Sequence, residues 1–291
     1  MQTDFIAGQP VDVGSGGIAV QRILGRNAGP MTGPGTNTYL IGKQHLAIVD
    51  PGPADPQHID RLLAIIGERR VEGIFVTHTH GDHSPGTALL QARLNTEIIG
   101  LAPPQGSGQD PSFRPTRLYR DGERIHCSEF TMTLLHTPGH VSNHLCFLLE
   151  SEQMLFTGDH ILEGTTPVIL PPDGDMRHYL DSLEQLQQLP LRYLAPAHGS
   201  VMDNPAQVIE TLRRHRLRRE SKTLRVLAQR SRESGACTLQ ELAIGVYDDV
   251  PSHLLPWAER TLLAHLIKLA QDGAVYCADT RWQVTESALN D

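Results

Sequence analysis

Nowhere in this 291-residue chain do two cysteines stand at Cys-x-x-Cys spacing, because Cys127, Cys146, Cys237 and Cys277 are far apart. Chemistry built on paired cysteines is thereby excluded, and the four read as buried or incidental thiols of a reducing compartment. No apolar run approaches the length of a membrane span. Residues 1–17 are polar and glycine-rich rather than basic and then apolar, so neither a membrane chain nor a secreted one is expected. A cytoplasmic protein is the expectation. An excess of positive charge is also missing: the formal net charge is −8, which argues against a chain that coats nucleic acid everywhere but leaves room for a local basic face. There is no internal repeat and no low-complexity tract. The length suits one large domain, or a domain of about 200 residues with a smaller appendage.

Histidine, by contrast, is abundant, with 15 copies, and it clusters. Residues 77–83 read Thr-His-Thr-His-Gly-Asp-His. They follow a strand-like apolar run at 71–76 and precede a segment, 85–94, whose apolar residues recur at helical spacing. Imidazole and carboxylate are donors for zinc and neighbouring transition metals. Four such residues crowded into one strand-to-helix turn read as half of a two-metal site rather than as a His-rich surface loop.

The rest of the chain repeats this arrangement. Strands are predicted at 18–24, 37–41 and 46–49, the last closed by Asp50-Pro51-Gly52-Pro53, where Asp50 either caps the turn or accepts the second ring proton of a metal-bound histidine. A helix is predicted over 59–68 and a strand over 96–101; between 102 and 117 lies a Pro-, Gly- and Ser-rich loop, either a lid or a surface excursion. Strands at 123–126, 130–135, 146–149 and 154–156 follow, and after a helix at 176–189 another at 191–194. Their ends carry His140, then His144, then Asp159 and finally His198. Strand, helix and strand in this order predict an α/β layer with ligands at strand ends. From about residue 203 the pattern changes. Residues 210–232 hold nine Lys or Arg on what reads as a long amphipathic helix, followed by helices at 238–246 and 256–270 and a terminal hairpin. That order predicts a winged-helix-like appendage, so the division expected is 1–202 and 203–291.

Counting donors predicts two cations. His78 and His80, two apart on an extended segment, project to one side and with His140 supply three nitrogens to one ion. Asp82, His83 and His198 hold the second, and Asp159 bridges the pair. Each ion keeps an open position, and two cations about 3.5–4 Å apart share a water and generate a bridging hydroxide near neutral pH. Zinc fits the donors first, with manganese, iron or cobalt also accepted.

The motifs Thr-His-Thr-His-Gly-Asp-His at 77–83, Thr-Pro-Gly-His at 137–140, Thr-Gly-Asp at 157–159 and Ala-His-Gly at 197–199 resemble, in type, spacing and order, those of the metallo-β-lactamase superfamily. The resemblance implies a four-layer αβ/βα sandwich with a dinuclear site at one edge, the same ligand set, and an Asp82 that also orients the attacking water. A narrower resemblance spans nearly the whole chain. Asn27-Ala28-Gly29-Pro30, Gly35-Thr36-Asn37-Thr38-Tyr39-Leu40, Glu163-Gly164-Thr165-Thr166 and the winged appendage are similar to the β-lactamase-like protein 2 group, whose best-described member is a single-strand-specific endoribonuclease. Glyoxalase II is similar in its metal motifs but differs in its C-terminal helical domain. True β-lactamases of the fold are secreted and usually lack an aspartate matching Asp82.

Other residues have more than one reading. His144 either protonates a leaving group or hydrogen-bonds the site. His160 reads as packing or support, and His136 as a strand-end residue. Thr165 and Thr166 either contact substrate at the rim or form a turn. The basic helix is either a solvated face or a nucleic-acid contact. The expected function is hydrolysis of phosphodiesters in single-stranded RNA, carried by the whole-chain resemblance and the basic helix. Hydrolysis of a thioester or ester of a small acyl substrate, in the manner of glyoxalase II or an acyl-carrier thioesterase, comes next. A catalytically weak nucleic-acid-binding or sensor module comes third, and a homodimer is left open.

Overall fold

Strand by strand, apolar side chains divide between two faces, and that division builds the layers. The computed structural model describes residues 5–289. Its first half contains β1 (Pro10–Asp12), β2 (Val20–Leu24), β3 (Asn37–Ile41), β4 (His45–Val49), helix α1 (Pro56–Ile66), β5 (Arg70–Phe75), α2 (Gly86–Gln91) and β6 (Glu97–Ile99). The six strands form one sheet in chain order, antiparallel as far as β4 and parallel from β4 to β6. The second sheet holds β7 (Arg124–His126), β8 (Thr131–His136), β9 (Leu145–Leu149), β10 (Met154–Gly158) and, after helix α3 (Met176–Gln187), β11 (Tyr193–Pro196). Its order is β11-β10-β9-β8-β7, with β10 and β11 parallel.

Period-two alternation assigns each residue to a layer. In β4, Ala47 and Val49 point into the space between the sheets, where they meet Phe75, Phe147 and Phe156. Leu46 and Ile48 point outward and pack with Ile59, Leu62 and Ile66 of α1. In β10, Met154 and Phe156 enter the inter-sheet core, whereas Leu155 packs under Tyr179, Leu183 and Leu186 of α3. Three buried cores thus separate four layers, the αβ/βα sandwich that the motifs imply. Helix starts are capped as their sequences require: the Asp55 carboxylate accepts from the Gln57 N–H at 3.0 Å, and Asp175 from His178 at 2.9 Å.

Helix α4 (Pro205–Glu233) begins earlier than the basic stretch suggested, with proline in its first turn. It serves two cores: Ile209 and Leu212 lie with Leu180 and Leu183, while Leu227 lies in the core of the C-terminal domain. The expected division after residue 202 falls just ahead of this shared helix. The C-terminal domain continues with β12 (Cys237–Thr238), α5 (Leu239–Val246), α6 (Leu255–Gln271), β13 (Val275–Ala278) and β14 (Arg281–Val284), whose strands form a small wing in the order β12-β14-β13. Strands β1 and β12, of three and two residues, carry too little pattern to be read from sequence. Among the described residues no helix is long and apolar enough to cross a membrane.

Candidate metal centre

The seven expected ligands come together at one edge of the two sheets. Residues 77–83 leave the end of β5, His140 follows β8, Asp159 follows β10 and His198 follows β11. Gly158 makes one of these approaches feasible. At φ +49°, its backbone passes so close that a Cβ would stand 2.6 Å from Thr77 Oγ1 and 2.7 Å from His144 Nε2.

Two groups of donors result, His78, His80, His140 and Asp159 in one and Asp82, His83 and His198 in the other, each with its donor atoms within 4.8 Å of one another. In the first, His80 Nδ1 lies 2.9 Å from His78 Nε2 and 3.1 Å from His140 Nε2, so ring nitrogens converge on a shared point. Asp159 faces both groups: one carboxylate oxygen is 3.7 Å from His140 Nε2 and 3.9 Å from His78 Nε2, and the other is 3.2 Å from His198 Nε2. Asp82 lies 3.3 Å from His83 Nε2 and 3.4 Å from His198 Nε2. His83 Nε2, His198 Nε2 and Asp159 Oδ1 are buried without a hydrogen-bond partner. Buried polar atoms are ordinarily satisfied, and neutral imidazoles with two carboxylates are the donor set that cations would satisfy. The residues present therefore fit a metal pair.

The remaining ring nitrogen of each of four histidines is held from outside. Asp50 takes His83 Nδ1 at 2.9 Å, Thr77 Oγ1 stands 3.1 Å from His78 Nδ1, the Val168 carbonyl accepts from His140 Nδ1 at 2.7 Å and the Gly35 carbonyl from His198 Nδ1 at 3.1 Å. Such partners set the tautomer and aim Nε2 at the cluster. Asp50 thus has the orienting position that its place at the mouth of β4 allowed. Thr36, which sequence reasoning quoted only as part of a motif, donates to Asp82 at 3.1 Å and is itself held by Asn27 at 2.8 Å. A backbone carbonyl carries no residue identity, so Val168 and Gly35 had no signal to offer. Thr36 had only its place in a Gly-Thr-Asn turn.

Charge is distributed unevenly over the cluster. Burial lowers His78 well below its ordinary value and His80 to about 4. Burial also opposes protonation of His198, but the Asp159 carboxylate beside it outweighs that and carries it up to about 10. His83 behaves alike: against burial, Asp82, Asp159 and Asp50 raise it well above the usual range. Without metal, then, two imidazoles hold protons where ligation requires lone pairs. Metal uptake is therefore expected to expel about two protons and to strengthen as pH rises toward 10. Calorimetric titration of metal into the metal-free protein in buffers of different ionisation enthalpy counts those protons. Uptake without proton release would show that His83 and His198 are already neutral in the metal-free protein.

His144 departs from the catalytic half of its expectation. It is fully buried and does not line the cleft; its Nδ1 lies 2.9 Å from Thr137 Oγ1 and its Nε2 accepts from the Asp159 backbone N–H at 3.2 Å. It lies beneath the cluster and steadies Asp159, with no path to a leaving group. His160 is buried with neither ring nitrogen bonded, its ring centroid 4.7 Å from that of Tyr179 and tilted by 49° to it. His136 Nε2 donates to the Ser142 carbonyl at 2.9 Å.

The cluster opens into a cleft of about 620 Å³, onto which His80, Asp82, His140 and Asp159 face. Thr165 and Thr166 stand on a rim shared with a second cavity of about 660 Å³. The loop 102–117 is tied to the site rather than astray from it. The Asp110 N–H donates to Thr79 O at 2.7 Å, and Gln109 bridges Thr79 Oγ1 and Asp173 at 2.5 and 2.7 Å.

Comparison with known proteins agrees with this geometry. Residues 31–198 match the family described as metallo-beta-lactamase superfamily, and residues 238–282 match the beta-lactamase associated winged helix domain. An atrochrysone carboxyl ACP thioesterase from Aspergillus terreus (strain NIH 2624 / FGSC A1156) is 33% identical, over 94% of this chain and 86% of that protein. A beta-lactamase-like protein 2 homolog from Caenorhabditis elegans is also 33% identical, over 88% of this chain and 86% of that one. A solved structure, a beta-lactamase domain protein from Burkholderia ambifaria, superposes with a TM-score of 0.79 over 98% of this chain and 96% of its own, at 20% identity.

Proposed function

This chain belongs to the metallo-β-lactamase superfamily and is a hydrolase of that fold, and from this premise we propose that it hydrolyses acyl thioesters. The observation that carries the reading is the cleft. Its walls are largely apolar: Met31, Leu162 and Val168 come from the sandwich, and Val250, Leu254 and Trp257 from the C-terminal domain. A concave apolar space of about 620 Å³ ending on polar donors suits a small acyl group. It does not suit a solvated polyanionic strand. The similar Aspergillus terreus protein is named as an acyl-carrier thioesterase, which supports the same choice.

Cleavage of single-stranded RNA, the substrate expected first from the sequence, loses its physical support at the basic helix. Arg213 and Arg214 pair with Glu210, Arg219 makes two hydrogen bonds to Asp249, Lys222 pairs with Asp248, and Arg216 bonds the Pro167 carbonyl. At least four of the nine cations in that stretch have acidic partners, and counter-charged groups contribute little to phosphate binding. In this reading the winged domain is a wall of the cleft.

Two zinc ions, or manganese or iron on the same donors, would acidify a shared water and neutralise negative charge developing on the thioester oxygen. The protein's own groups divide the remaining work. Asp82, at the mouth of the cluster and 26% exposed, accepts a hydrogen bond from the attacking water and holds it against the carbonyl carbon. Thr36 keeps that carboxylate in place. His80 and His140 turn their rings to the cleft and fix its inner end, while the apolar walls hold the acyl chain and exclude bulk water. Water loses a proton as it adds to the carbon, the carbon–sulfur bond breaks with its electron pair leaving on sulfur, and once that sulfur is protonated the products are a carboxylate, a thiol and one proton released to solvent. Thr165 and Thr166, on the rim, are placed to contact the arm that carries the sulfur.

The test is a paired assay on zinc-reconstituted protein with an acyl thioester panel and a fluorogenic single-stranded RNA, using Asp82→Ala as the blank. Thioester turnover that the blank lacks is the expected result. RNA cleavage with the thioesters left intact would overturn the proposal.

A further inference from the structure

We infer that the cleft contains an anion site built on Arg216, so that the acyl groups accepted carry a carboxylate some way along the chain from the thioester. The inference rests on the thioesterase reading for the identity of the ligand, but not for the existence of the site.

Arg216, on α4, is 4% exposed and forms part of the cleft wall. Its Nη2 donates to the Pro167 carbonyl, its guanidinium lies 5.2 Å over the Tyr179 ring, and its Nε has no hydrogen-bond partner. Among the described residues it makes no ion pair, although its neighbours do. Arg213 and Arg214 pair with Glu210, and Arg219 with Asp249. Glu220, one turn further on, is taken by Lys268 at 2.8 Å and His265 at 3.4 Å. Four neighbouring cations on the helix thus have counter-charges, while the most buried one has none among the described residues. A buried charge is costly unless paired, and the missing partner here is expected from whatever fills the cleft.

Position and geometry select the ligand. Tyr179, which Arg216 covers, lies with its ring 4.7 Å from the tilted ring of His160, the residue after Asp159, and Arg216 and Asp159 line the same cleft. An anion on Arg216 therefore lies near the reacting carbonyl, within reach of a short acyl chain. The phosphate at the far end of a pantetheine arm stands further from its sulfur than that. The planar guanidinium fork suits a carboxylate in particular. Leu162, Val168, Leu170, Val250 and Leu254 on the same wall offer apolar surface to a methylene chain between thioester and carboxylate.

The experiment compares glutaryl and pentanoyl thioesters of N-acetylcysteamine on zinc-loaded protein. Binding of monomethyl glutarate and dimethyl glutarate is measured by calorimetry alongside. A charge-assisted pair predicts a preference for the anionic member of about tenfold to a hundredfold in wild type. Arg216→Gln is expected to bring that ratio close to one through KM, and Arg216→Lys to leave an intermediate ratio. A ratio near one in wild type, or a ratio untouched by Arg216→Gln, would overturn the site. If Arg216→Gln does not fold, the wild-type ratio decides alone. Should neither thioester turn over, the thioesterase reading has failed and the calorimetric arm still judges the anion site. A preference for 4′-phosphopantetheine over pantetheine that depends on Arg216 would place the anion on the carrier side and overturn the acyl assignment.

Discussion

Replacing Asp82 by alanine is expected to lower thioester hydrolysis on the order of a thousandfold or more, the largest loss we anticipate from any single side chain. Asp82 combines two functions that other donors in the cluster do not combine. It belongs to the second donor group with His83 and His198, and it is the more exposed of the two carboxylates, at 26% against 14% for Asp159. Its loss should therefore reduce bound metal from two ions toward one, since His78, His80, His140 and Asp159 form their group without it. Turnover should fall further than occupancy does, because the attacking water also loses its acceptor. Metal content by emission spectroscopy, set beside kcat, separates the two functions. Full metal retention with normal kcat would refute both. Thr36→Val offers a milder comparison: it leaves the carboxylate but removes its 3.1 Å hydrogen bond, so a loss of about tenfold is expected.

The donor cluster was legible because each of its side chains advertises itself. His78, His80, Asp82, His83, His140, Asp159 and His198 all stand just beyond apolar runs whose alternation marks strands, and the strand ends gather at one edge of the fold. The layers were legible for the same reason, since Ala47 and Val49 alternate with Leu46 and Ile48. What could not be read was the depth at which a residue sits. Spacing alone puts His144 on the same loop as His140, yet one faces the cleft and the other lies beneath it. Nor could the partners of the basic helix be read, because Asp248 and Asp249 come from a different segment and close their pairs only after the C-terminal domain has folded against α4. The same docking brings Val250, Leu254 and Trp257 to the cleft, whose apolar side chains suit an acyl group better than a nucleic acid.

Asp50 offers the second large effect, because it serves folding and metal binding with the same two oxygens. It is 2% exposed, with φ at +50°, a left-handed conformation uncommon outside glycine but better tolerated by aspartate than by most side chains. Its carboxylate meets three donors: the Thr77 N–H at 2.8 Å, the Thr77 hydroxyl at 2.8 Å and His83 Nδ1 at 2.9 Å. Asp50→Ala strands all three in the interior, and breaking a buried charged network of this kind is expected to cost about 3–5 kcal/mol, measurable as a lowered midpoint of denaturant unfolding. Asp50→Asn separates the two functions. Its oxygen still accepts from the Thr77 N–H, so the fold survives, but its amide now presents a donor to His83 Nδ1. The imidazole must then accept at Nδ1 and carry its proton on Nε2, the atom aimed at the cluster. A protonated Nε2 cannot ligate, so metal affinity at the group of Asp82, His83 and His198 should fall by about 10–100-fold while unfolding shifts far less than in Asp50→Ala. Competition titration with a chromogenic chelator reads the first quantity and denaturant unfolding of the metal-free protein the second. If Asp50→Asn bound metal as tightly as wild type, Asp50 would be a turn residue only, and the orientation of His83 would have to come from elsewhere.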